Sequence, residues 1–499
     1  MKETVTSKIG NDYINWKHGD IILIDAGTGA GKSHFVKNTL YEYAKETNKK
    51  ILLLSNRNKL KEQNQLELVD KLEFGDTITI VNYQKIDFEY SRKLENDAIH
   101  NKLNLDDFDY IISDECHYFI DDADFNNFTD YSLNLILNSK GIKIFMSATP
   151  DLFVDYLYGE LGEIDIITYS IKKDYSYIEK LYIYNDDELL EKTLLDNLSS
   201  DEKVIYFHYS AKKCLSLHEK YQNSMWVCSK SNPLYKKVNE EKLHSLLKNE
   251  KFEDSILFST KCLDNGINIK DSNIRHVIIN MRFDINTIIQ CLGRYRLTDE
   301  HDKIIVYIKN VSNQSLGGNF QRLNQRLEKA QKFIYDTEVL DFDPRNYEDD
   351  ITFLTNNENG LEVNVNWVKY HKVESSRNFI KDLLDKSGKS KNKINKKYPF
   401  ANYIKSLLHI NWYYYDNEWN FTSLADYLNA NLGIEMDKAK QEKFKDVLNR
   451  EGLKVKKGNG IGINTINGYL KDCGLRYYIN SKVVRVYGKR VTVWTICKI

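Results

Sequence analysis

Residues 21–33 have the sequence IILIDAGTGAGKS, an apolar run followed by a glycine-rich loop. The run is typical of a short buried strand, and a helical pattern extends from Ser33 to about Thr47. Glycines in such a loop let backbone N–H groups approach phosphate oxygens with no Cβ in the way. The stretch therefore predicts a phosphate cradle between a strand and the N-terminus of a helix.

This loop fits the P-loop pattern, with alanine in its first position. In that pattern Lys32 places a positive charge on the β- and γ-phosphates, and Ser33 offers its hydroxyl to Mg²⁺. We therefore expect ATP and Mg²⁺ as cofactors. The residues expected to bind the nucleotide are those of the loop and its helix start: Ala26, Gly27, Thr28, Gly29, Ala30, Gly31, Lys32 and Ser33.

The segment FDYIISDECH, residues 108–117, is an apolar strand that ends in two acids. Asp114 is suited to hold Mg²⁺, and Glu115 to orient and deprotonate an attacking water. Acids after a strand also cap helices in many proteins, so the pair alone is a weak signal. Together with the P-loop it predicts a nucleotide hydrolase.

Apolar runs alternate with polar, helix-length stretches along much of the chain. This alternation is typical of parallel sheets with helices on both faces. It restarts after about residue 170, which predicts two tandem α/β units at 1–170 and 171–314. A helical connector with a Lys-rich arm is expected over 315–400. The runs lie at residues 51–54, 78–81, 110–112, 142–146, 204–207, 255–258, 277–279 and 304–307.

The C-terminal part of the chain differs from the rest in charge. Residues 361–499 hold 26 Lys and Arg against 13 Asp and Glu, while the whole chain has a net charge of −1. A basic module on an acidic body indicates a polyanionic partner such as nucleic acid. A general enrichment in lysine is the alternative, but it does not explain why acidic residues become rare only here.

Residues 401–499 are predicted to form a small α+β domain. Helical patterns precede two alternating runs at 477–486 and 490–496, which are separated by a glycine-containing turn. Helices followed by a basic hairpin resemble a winged helix, and docking of a protein partner is the alternative. The aromatic run 412–415 is interpreted as core of this domain, and stacking on bases is the alternative. The basic residues expected on the wing are Lys482, Arg485, Lys489 and Arg490.

Length and composition exclude several classes of protein. At about 100–200 residues per domain, 499 residues predict about three domains. No apolar run approaches the ~18 residues that cross a bilayer, and the N-terminus has no signal-peptide core. Seven cysteines without a Cys-x-x-Cys pair argue against a disulfide framework or a structural zinc site. We therefore expect a soluble, cytoplasmic protein with no membrane partner.

Taken in order, the motifs resemble those of superfamily 2 helicases of the DExH-box type, over about residues 20–310. The resemblance implies two RecA-like domains with ATP in the cleft between them. Besides the P-loop and the acidic box, the matching segments are SNRNKL at 55–60, VNYQ at 81–84, MSATP at 146–150, VIYFH at 204–208, residues 260–269, and QCLGRYR at 290–296.

The resemblance also implies roles for individual residues. Arg294 is the arginine finger, and Gln290 positions the water or the γ-phosphate. Arg296 is a candidate second finger, although it lies one residue earlier than the family's second arginine. The resemblance further implies that Asp264 and Gly266 contact the nucleotide, and that His117, Ser147 and Thr149 couple the state of the nucleotide to the nucleic acid. The residues implied to contact the nucleic acid are Arg57, Lys59, Asn82, Tyr83 and Thr260.

The function that this sequence predicts is an ATP-dependent helicase or translocase. DNA is the expected partner rather than RNA, with a role in replication or repair of a phage or mobile element. Three alternatives remain open: an ATP-switched DNA-binding protein that recognises an origin or a partner, a double-stranded DNA translocase that separates no strands, and an ATPase that remodels proteins.

Overall fold

The computed structural model describes residues 3–55, 77–87, 103–162, 164–263, 268–299, 301–335, 343–357, 360–389, 396–411, 413–415, 424, 427–428, 431–450, 453, 461–486 and 489–498. Among these residues, no helix is both long enough and apolar enough to cross a membrane.

The first sheet is parallel throughout and is covered on both faces. Neighbouring residues of one strand therefore enter opposite cores: Ile22 and Ile24 pack in one apolar cluster and Leu23 in the other. Its strands are β1 (Ile21–Ala26), β2 (Ile51–Ser55), β3 (Ile78–Asn82), β4 (Tyr110–Asp114), β5 (Ile142–Ser147) and β6 (Ile166–Ile171). They lie in the order β3-β2-β4-β5-β1-β6.

The helices of this first unit include the one that the P-loop begins. A π-helical segment, Phe35–Leu40, joins α2 and α3 without a break. The α-helices are α1 (Val5–Ile9), α2 (Lys32–His34), α3 (Tyr41–Glu46), α4 (Tyr118–Asp121), α5 (Thr129–Leu137) and α6 (Asp151–Leu161), and 3₁₀ turns lie at Asp12–Ile14, Leu105–Asp107 and Asp122–Asp124.

The second sheet is also parallel and contains six longer strands. They are β7 (Ile178–Tyr184), β8 (Lys203–His208), β9 (Ser224–Val227), β10 (Ile256–Ser259), β11 (Ile274–Asn280) and β12 (Ile304–Lys309). The helices between them are α7 (Asp187–Thr193), α8 (Ala211–Lys220), α9 (Glu240–Asn249) and α10 (Ile285–Leu292), with 3₁₀ turns at Leu195–Asn197, Pro233–Lys237 and Lys261–Leu263. Two parallel sheets flanked by helices confirm the predicted tandem α/β units.

The connector packs on both units. Its elements are α11 (Asn313–Tyr335), a 3₁₀ turn (Pro344–Tyr347), the hairpin β13 (Thr352–Asn357) and β14 (Gly360–Val365), and α12 (Trp367–Lys389). Helix α12 reaches two cores, because Val368 is buried with residues of the first sheet and Ile380 with residues of the second. The last turns of this helix hold Lys386 and Lys389, so part of the predicted Lys-rich arm is helical.

Residues after the connector complete the second sheet. Helix α13 (Pro399–Leu407) packs on its core, and the short strand β15 (Tyr414–Tyr415) pairs with β7. The strand order is β15-β7-β12-β11-β8-β10-β9. The interpretation of residues 412–415 as core of the C-terminal domain is wrong for Tyr414, whose ring stacks on Tyr182 at 4.5 Å. Helix α13 and strand β15, which were predicted to belong to the domain at 401–499, thus lie with the second sheet.

The C-terminal unit has its own apolar core, which includes Leu470 and Trp494. The helices with described bounds, α14 (Lys438–Arg450) and α15 (Ile463–Asp472), accompany a three-stranded antiparallel sheet. Its strands are β16 (Glu435–Met436), β17 (Tyr477–Val486) and β18 (Lys489–Lys498), in the order β16-β18-β17. Helices and a long hairpin were expected here, while their identity as a winged helix stays a prediction.

Candidate functional site

The P-loop lies at the carboxyl end of β1. Gly29 and Gly31 have φ values of 83° and 91°, in the left-handed region that a side chain disfavours. Gly31 caps the N-terminus of α2, so the helix start points into the loop. The Nζ of Lys32 is buried and donates to the Ala26 carbonyl at 2.8 Å. The loop thus combines a glycine-rich backbone, a helix terminus and one buried cation, which is the chemistry that binds phosphate.

The acidic box follows β4, two strands away from β1 in the sheet. Glu115 has a φ of 55°, a conformation that is costly for a residue with a side chain. The backbone of its neighbour Asp114 is held by a hydrogen bond, since the Tyr83 hydroxyl donates to the Asp114 carbonyl at 2.9 Å. Burial and the charge of Glu115 raise the pKa of Asp114 to about 6. Burial also raises the pKa of Glu115, but positive charges led by Lys32 outweigh it and hold that pKa below its usual value.

A chain of polar side chains links the acidic box to both domains. Nδ1 of His117 lies 3.0 Å from the Ser147 hydroxyl, and the Gln290 amide donates to Nε2 of His117 at 2.8 Å. The backbone N–H of Thr149 in turn donates to the Ser147 hydroxyl at 2.9 Å. The four residues predicted for coupling and water positioning are thus brought together, and all four are buried.

The QCLGRYR segment of the second domain packs against the P-loop. A Cβ on Gly293 would lie 2.3 Å from the Thr28 hydroxyl oxygen, so only glycine permits this approach. A Cβ on Gly29 would lie 2.9 Å from Nη1 of Arg296, which places that guanidinium at the loop. The position of Arg296, one residue early in the motif, therefore still brings it to the nucleotide side of the cleft.

The two arginines of this segment are held differently. Arg294 is buried, and its Nε donates to the Gln290 carbonyl at 3.2 Å. Nε of Arg296 donates to the Asn268 side chain at 2.8 Å. Burial, with the nearby charge of Arg294, lowers the pKa of Arg296 to about 10, which leaves it cationic at neutral pH. Asn268 was not among the predicted site residues, although it follows Asp264 and Gly266 in the same motif.

Sequence reasoning also missed a contact from the segment between the two domains. Lys173 forms an ion pair with Asp25 at 3.5 Å, and its Cγ would lie 3.6 Å from a Cβ on Gly27. Burial raises the pKa of Asp25, with the charge of Lys173 opposing it. The one sign of this contact in the sequence was the acidic residue Asp25 just before the P-loop. Its partner, Lys173, lies far from it along the chain and could not be identified from the sequence.

The nucleic-acid candidates of the first two units have different outcomes. Arg57 and Lys59 lie outside the described residues, as do Asp264 and Gly266, which were predicted at the nucleotide. Asn82 ends β3 at the same sheet edge as the P-loop, and Thr260 directly follows β10. The Tyr83 prediction is wrong for its side chain, which is fully buried and stacks on Tyr118 at 4.3 Å.

The basic residues predicted for the wing lie on the β17–β18 hairpin. Arg485 stands directly opposite Arg490 in the register, and both are exposed. Like charges in directly opposed positions destabilise a hairpin unless an anion lies against them. Lys482 is already paired with Glu435. Lys489 opens β18, and its side chain lies outside the described part of the chain.

Two models of known protein families match parts of this chain. A family model described as "Type III restriction enzyme, res subunit" matches residues 3–152, and one described as "Helicase conserved C-terminal domain" matches residues 186–297. The first match contains the P-loop and the acidic box, and the second contains both arginines of the QCLGRYR segment. No curated protein matches the sequence.

Several solved structures are similar at low identity. S. cerevisiae Dbp5 bound to RNA and ADP BeF3 is 16% identical, with 58% of this chain and 79% of that chain covered and a TM-score of 0.42. A fragment of a putative HsdR subunit of a type I restriction enzyme from Vibrio vulnificus YJ016 is 16% identical, with coverage of 61% and 62% and a TM-score of 0.40. A DEAD box protein from Methanococcus jannaschii is 18% identical, with coverage of 66% and 95% and a TM-score of 0.34.

Proposed function

Since the chain belongs to superfamily 2 of the helicases, whose members are ATP-hydrolysing nucleic-acid enzymes, we propose that it is a motor that moves along or unwinds DNA. ATP and Mg²⁺ are the cofactors of this class. The observation that carries the proposal is the contact of Gly293 and Arg296 with the P-loop, because it gives one site catalytic groups from both domains. Turnover at such a site is coupled to movement of the domains relative to each other.

The residues present fit Mg²⁺ATP. Gly29 and Gly31 leave the space that a Cβ would fill, Lys32 supplies a cation for the phosphates, and Ser33 and Asp114 supply the oxygens that Mg²⁺ prefers. The bound nucleotide provides the phosphoryl group that is transferred to water, and the metal ion offsets its negative charge.

Each remaining side chain has one role in this proposal. The carboxylate of Glu115 accepts the proton of the attacking water, and its lowered pKa keeps it ionised for that purpose. Arg294 and Arg296 stabilise the charge that develops on the phosphoryl oxygens. Gln290 and His117 orient the water and transmit the state of the site to Ser147, which lies at the end of β5.

DNA is proposed as the partner because of the C-terminal unit. The net charge of +13 over residues 361–499 and the opposed pair Arg485 and Arg490 both support binding of a phosphate backbone. The same hairpin is also open to an acidic protein partner, which is the alternative use of this unit.

Two measurements on the full chain separate the proposed functions. Displacement of a labelled strand from a partial duplex reports unwinding, and ATP-dependent release of streptavidin from biotinylated DNA reports translocation. A helicase gives both signals and a double-stranded DNA translocase gives only the second. An ATP-switched binding protein gives neither, although it retains nucleotide-dependent affinity. The motor proposal is wrong if neither signal depends on ATP.

A further inference from the structure

Residues 172–177, called the interdomain linker below, join the first α/β domain to the second. The linker follows β6 and precedes β7. Strand β6 pairs with β1 in parallel, with Ile171 opposite Ala26, the first residue of the P-loop. The linker therefore leaves the first domain directly beside the P-loop and enters the second domain at β7.

The first end of the linker contacts the base of the P-loop through Lys173. Its Nζ lies 3.5 Å from Oδ1 of Asp25, each side chain is only 25% exposed, and its stem lies against Gly27. Burial raises the pKa of Asp25, and the charge of Lys173 opposes that rise more strongly than the charge of Lys32 does. Loss of Lys173 would leave a largely buried acid beside the P-loop without its main counter-charge.

The middle of the linker is a short turn. The backbone N–H of Ser176 donates to the side chain of Asp174 at 2.9 Å. Beyond this turn the linker is tied to the start of β12, because Nζ of Lys303 donates to the Ser176 carbonyl at 2.8 Å and the N–H of Ile304 donates to the Tyr177 carbonyl at 2.9 Å. A segment this short and fixed at both ends transmits a displacement of one end to the other.

The second end of the linker packs against the residue between the two arginines. The centres of the Tyr177 and Tyr295 rings lie 6.1 Å apart, and Tyr295 is buried. The backbone on each side of Tyr295 is fixed as well, since Ile269 donates to the Arg294 carbonyl and accepts from the N–H of Arg296, both at 2.9 Å. Successive side chains of an extended backbone point to opposite sides, so the Tyr295 ring faces the linker while Arg296 faces the P-loop.

We propose that the interdomain linker positions both halves of the ATP site. Lys173 holds the P-loop through its ion pair with Asp25, and Tyr177 holds the two arginines through Tyr295. Both act through other residues, so they are positioning residues and not catalytic ones. The P-loop binds ATP in the ground state, whereas the arginines act on the transition state, so the two ends of the linker affect different kinetic constants. The inference rests on the proposed function and adds which residues set the spacing of the two halves.

The first test compares Lys173→Ala with the parent, both as full-length chains. We expect the affinity for a fluorescent ATP analogue to fall by roughly 3–5-fold, with kcat for phosphate release within about 2-fold of the parent, because an ion pair is lost and the arginines stay in place. Lys173→Arg keeps the charge and is expected to restore the affinity. If Lys173 acts through Asp25, Lys173→Ala causes no further loss in an Asp25→Asn background. Lys172→Ala is the control, since Lys172 is the exposed neighbour.

The second test removes the ring at the other end of the linker. Tyr177→Leu is expected to lower kcat by roughly 10-fold or more at unchanged affinity for the analogue, since a displacement of about 1 Å at a catalytic group costs up to ~10²-fold. Tyr177→Phe keeps the ring and is expected to keep the parental kcat. Tyr235→Leu is the control, because Tyr235 is also a partly buried tyrosine on the core of the second domain, but follows β9 at the edge of the sheet away from β7.

The inference and the proposed function fail in different ways. Parental affinity in Lys173→Ala together with parental kcat in Tyr177→Leu overturns the inference alone. Losses of the same size in the two control variants, or losses that accompany a lowered melting temperature and persist in Lys173→Arg and Tyr177→Phe, also overturn it, because the effect would then be one of general stability. A parent that binds the analogue but hydrolyses no ATP under any condition overturns the proposed function and the inference together.

Discussion

The side-chain amide of Gln290 donates to Nε2 of His117 at 2.8 Å, so one hydrogen bond joins residues 173 positions apart in two different domains. Nδ1 of the same ring lies 3.0 Å from the Ser147 hydroxyl and 3.4 Å from the Glu115 carboxylate. His117 therefore connects a side chain of the second domain to the acidic box and to the end of β5.

If these two residues act as one unit, their substitutions are not additive. We expect Gln290→Ala and His117→Ala each to lower kcat for ATP hydrolysis by roughly 10–100-fold, with the double variant no slower than the slower single variant. Steady-state phosphate release measures all three. Losses that multiply in the double variant would contradict a shared role.

Glu115 is expected to be needed for hydrolysis and not for folding. Glu115→Gln keeps the shape of the side chain but cannot accept the proton of the attacking water. The expected loss in kcat is on the order of 10²–10⁴-fold, with the melting temperature of the parent retained. A variant that hydrolyses ATP at the parental rate would remove Glu115 as the base.

Arg294 and Arg296 are both expected to act on the transition state. Arg294→Ala should bind ATP and lose about 10³-fold in kcat, and the proximity of Arg296 to the P-loop predicts a clear but smaller defect for Arg296→Ala. Lysine at either position keeps the charge without the planar fork, so partial activity is expected there. Binding of a fluorescent ATP analogue, measured alongside kcat, separates lost affinity from lost catalysis. Negligible effects at both positions would contradict the motif alignment.

Asp130 is expected to make stability depend on pH. It is buried on α5, accepts the backbone N–H of Trp367 at the start of α12, and burial raises its pKa to about 7. The folded state therefore holds a proton that the unfolded state releases near pH 4, so this group's contribution to stability falls as pH rises from about 4 to 7. The melting temperature of Asp130→Asn relative to the parent should thus rise between pH 5 and pH 8.5. A difference that stays constant over this range would contradict the raised pKa.

The opposed arginines of the C-terminal hairpin are expected to contact phosphates. Arg485→Glu with Arg490→Glu should weaken DNA binding by the full chain and make the slope of log affinity against log salt less steep by about 2. Lys236→Glu with Lys248→Glu reverses two exposed charges on the second domain and serves as the control. Equal effects of the two double variants would indicate a general charge effect instead of a site on the hairpin.

The parts of the site that the sequence predicts well are local. The loop at 26–33 and the acids at 114 and 115 each follow a strand directly, so a short motif contains all their chemistry. Tyr83 was assigned wrongly because a residue after a strand end can turn either to the surface or inward, and only the stack on Tyr118 decides.

Contacts between segments that are distant along the chain could not be predicted from the sequence. Tyr414 was assigned to the wrong core because its partner strand, β7, lies more than 200 residues earlier. The approach of Gly293 to Thr28 depends on how the two domains meet. The segments involved have no periodicity or motif from which the arrangement of the two domains can be predicted.

The central claim is that ATP turnover between the two domains is coupled to nucleic acid, and one measurement tests it most directly. The rate of phosphate release by the full chain is compared without nucleic acid and with single-stranded DNA, duplex DNA or RNA, using Lys32→Ala as the inactive control. We predict a Lys32-dependent rate that rises at least several-fold with DNA, and most with single strands. An ATPase rate that none of the three nucleic acids changes, or a rate equal to that of Lys32→Ala, would contradict the claim.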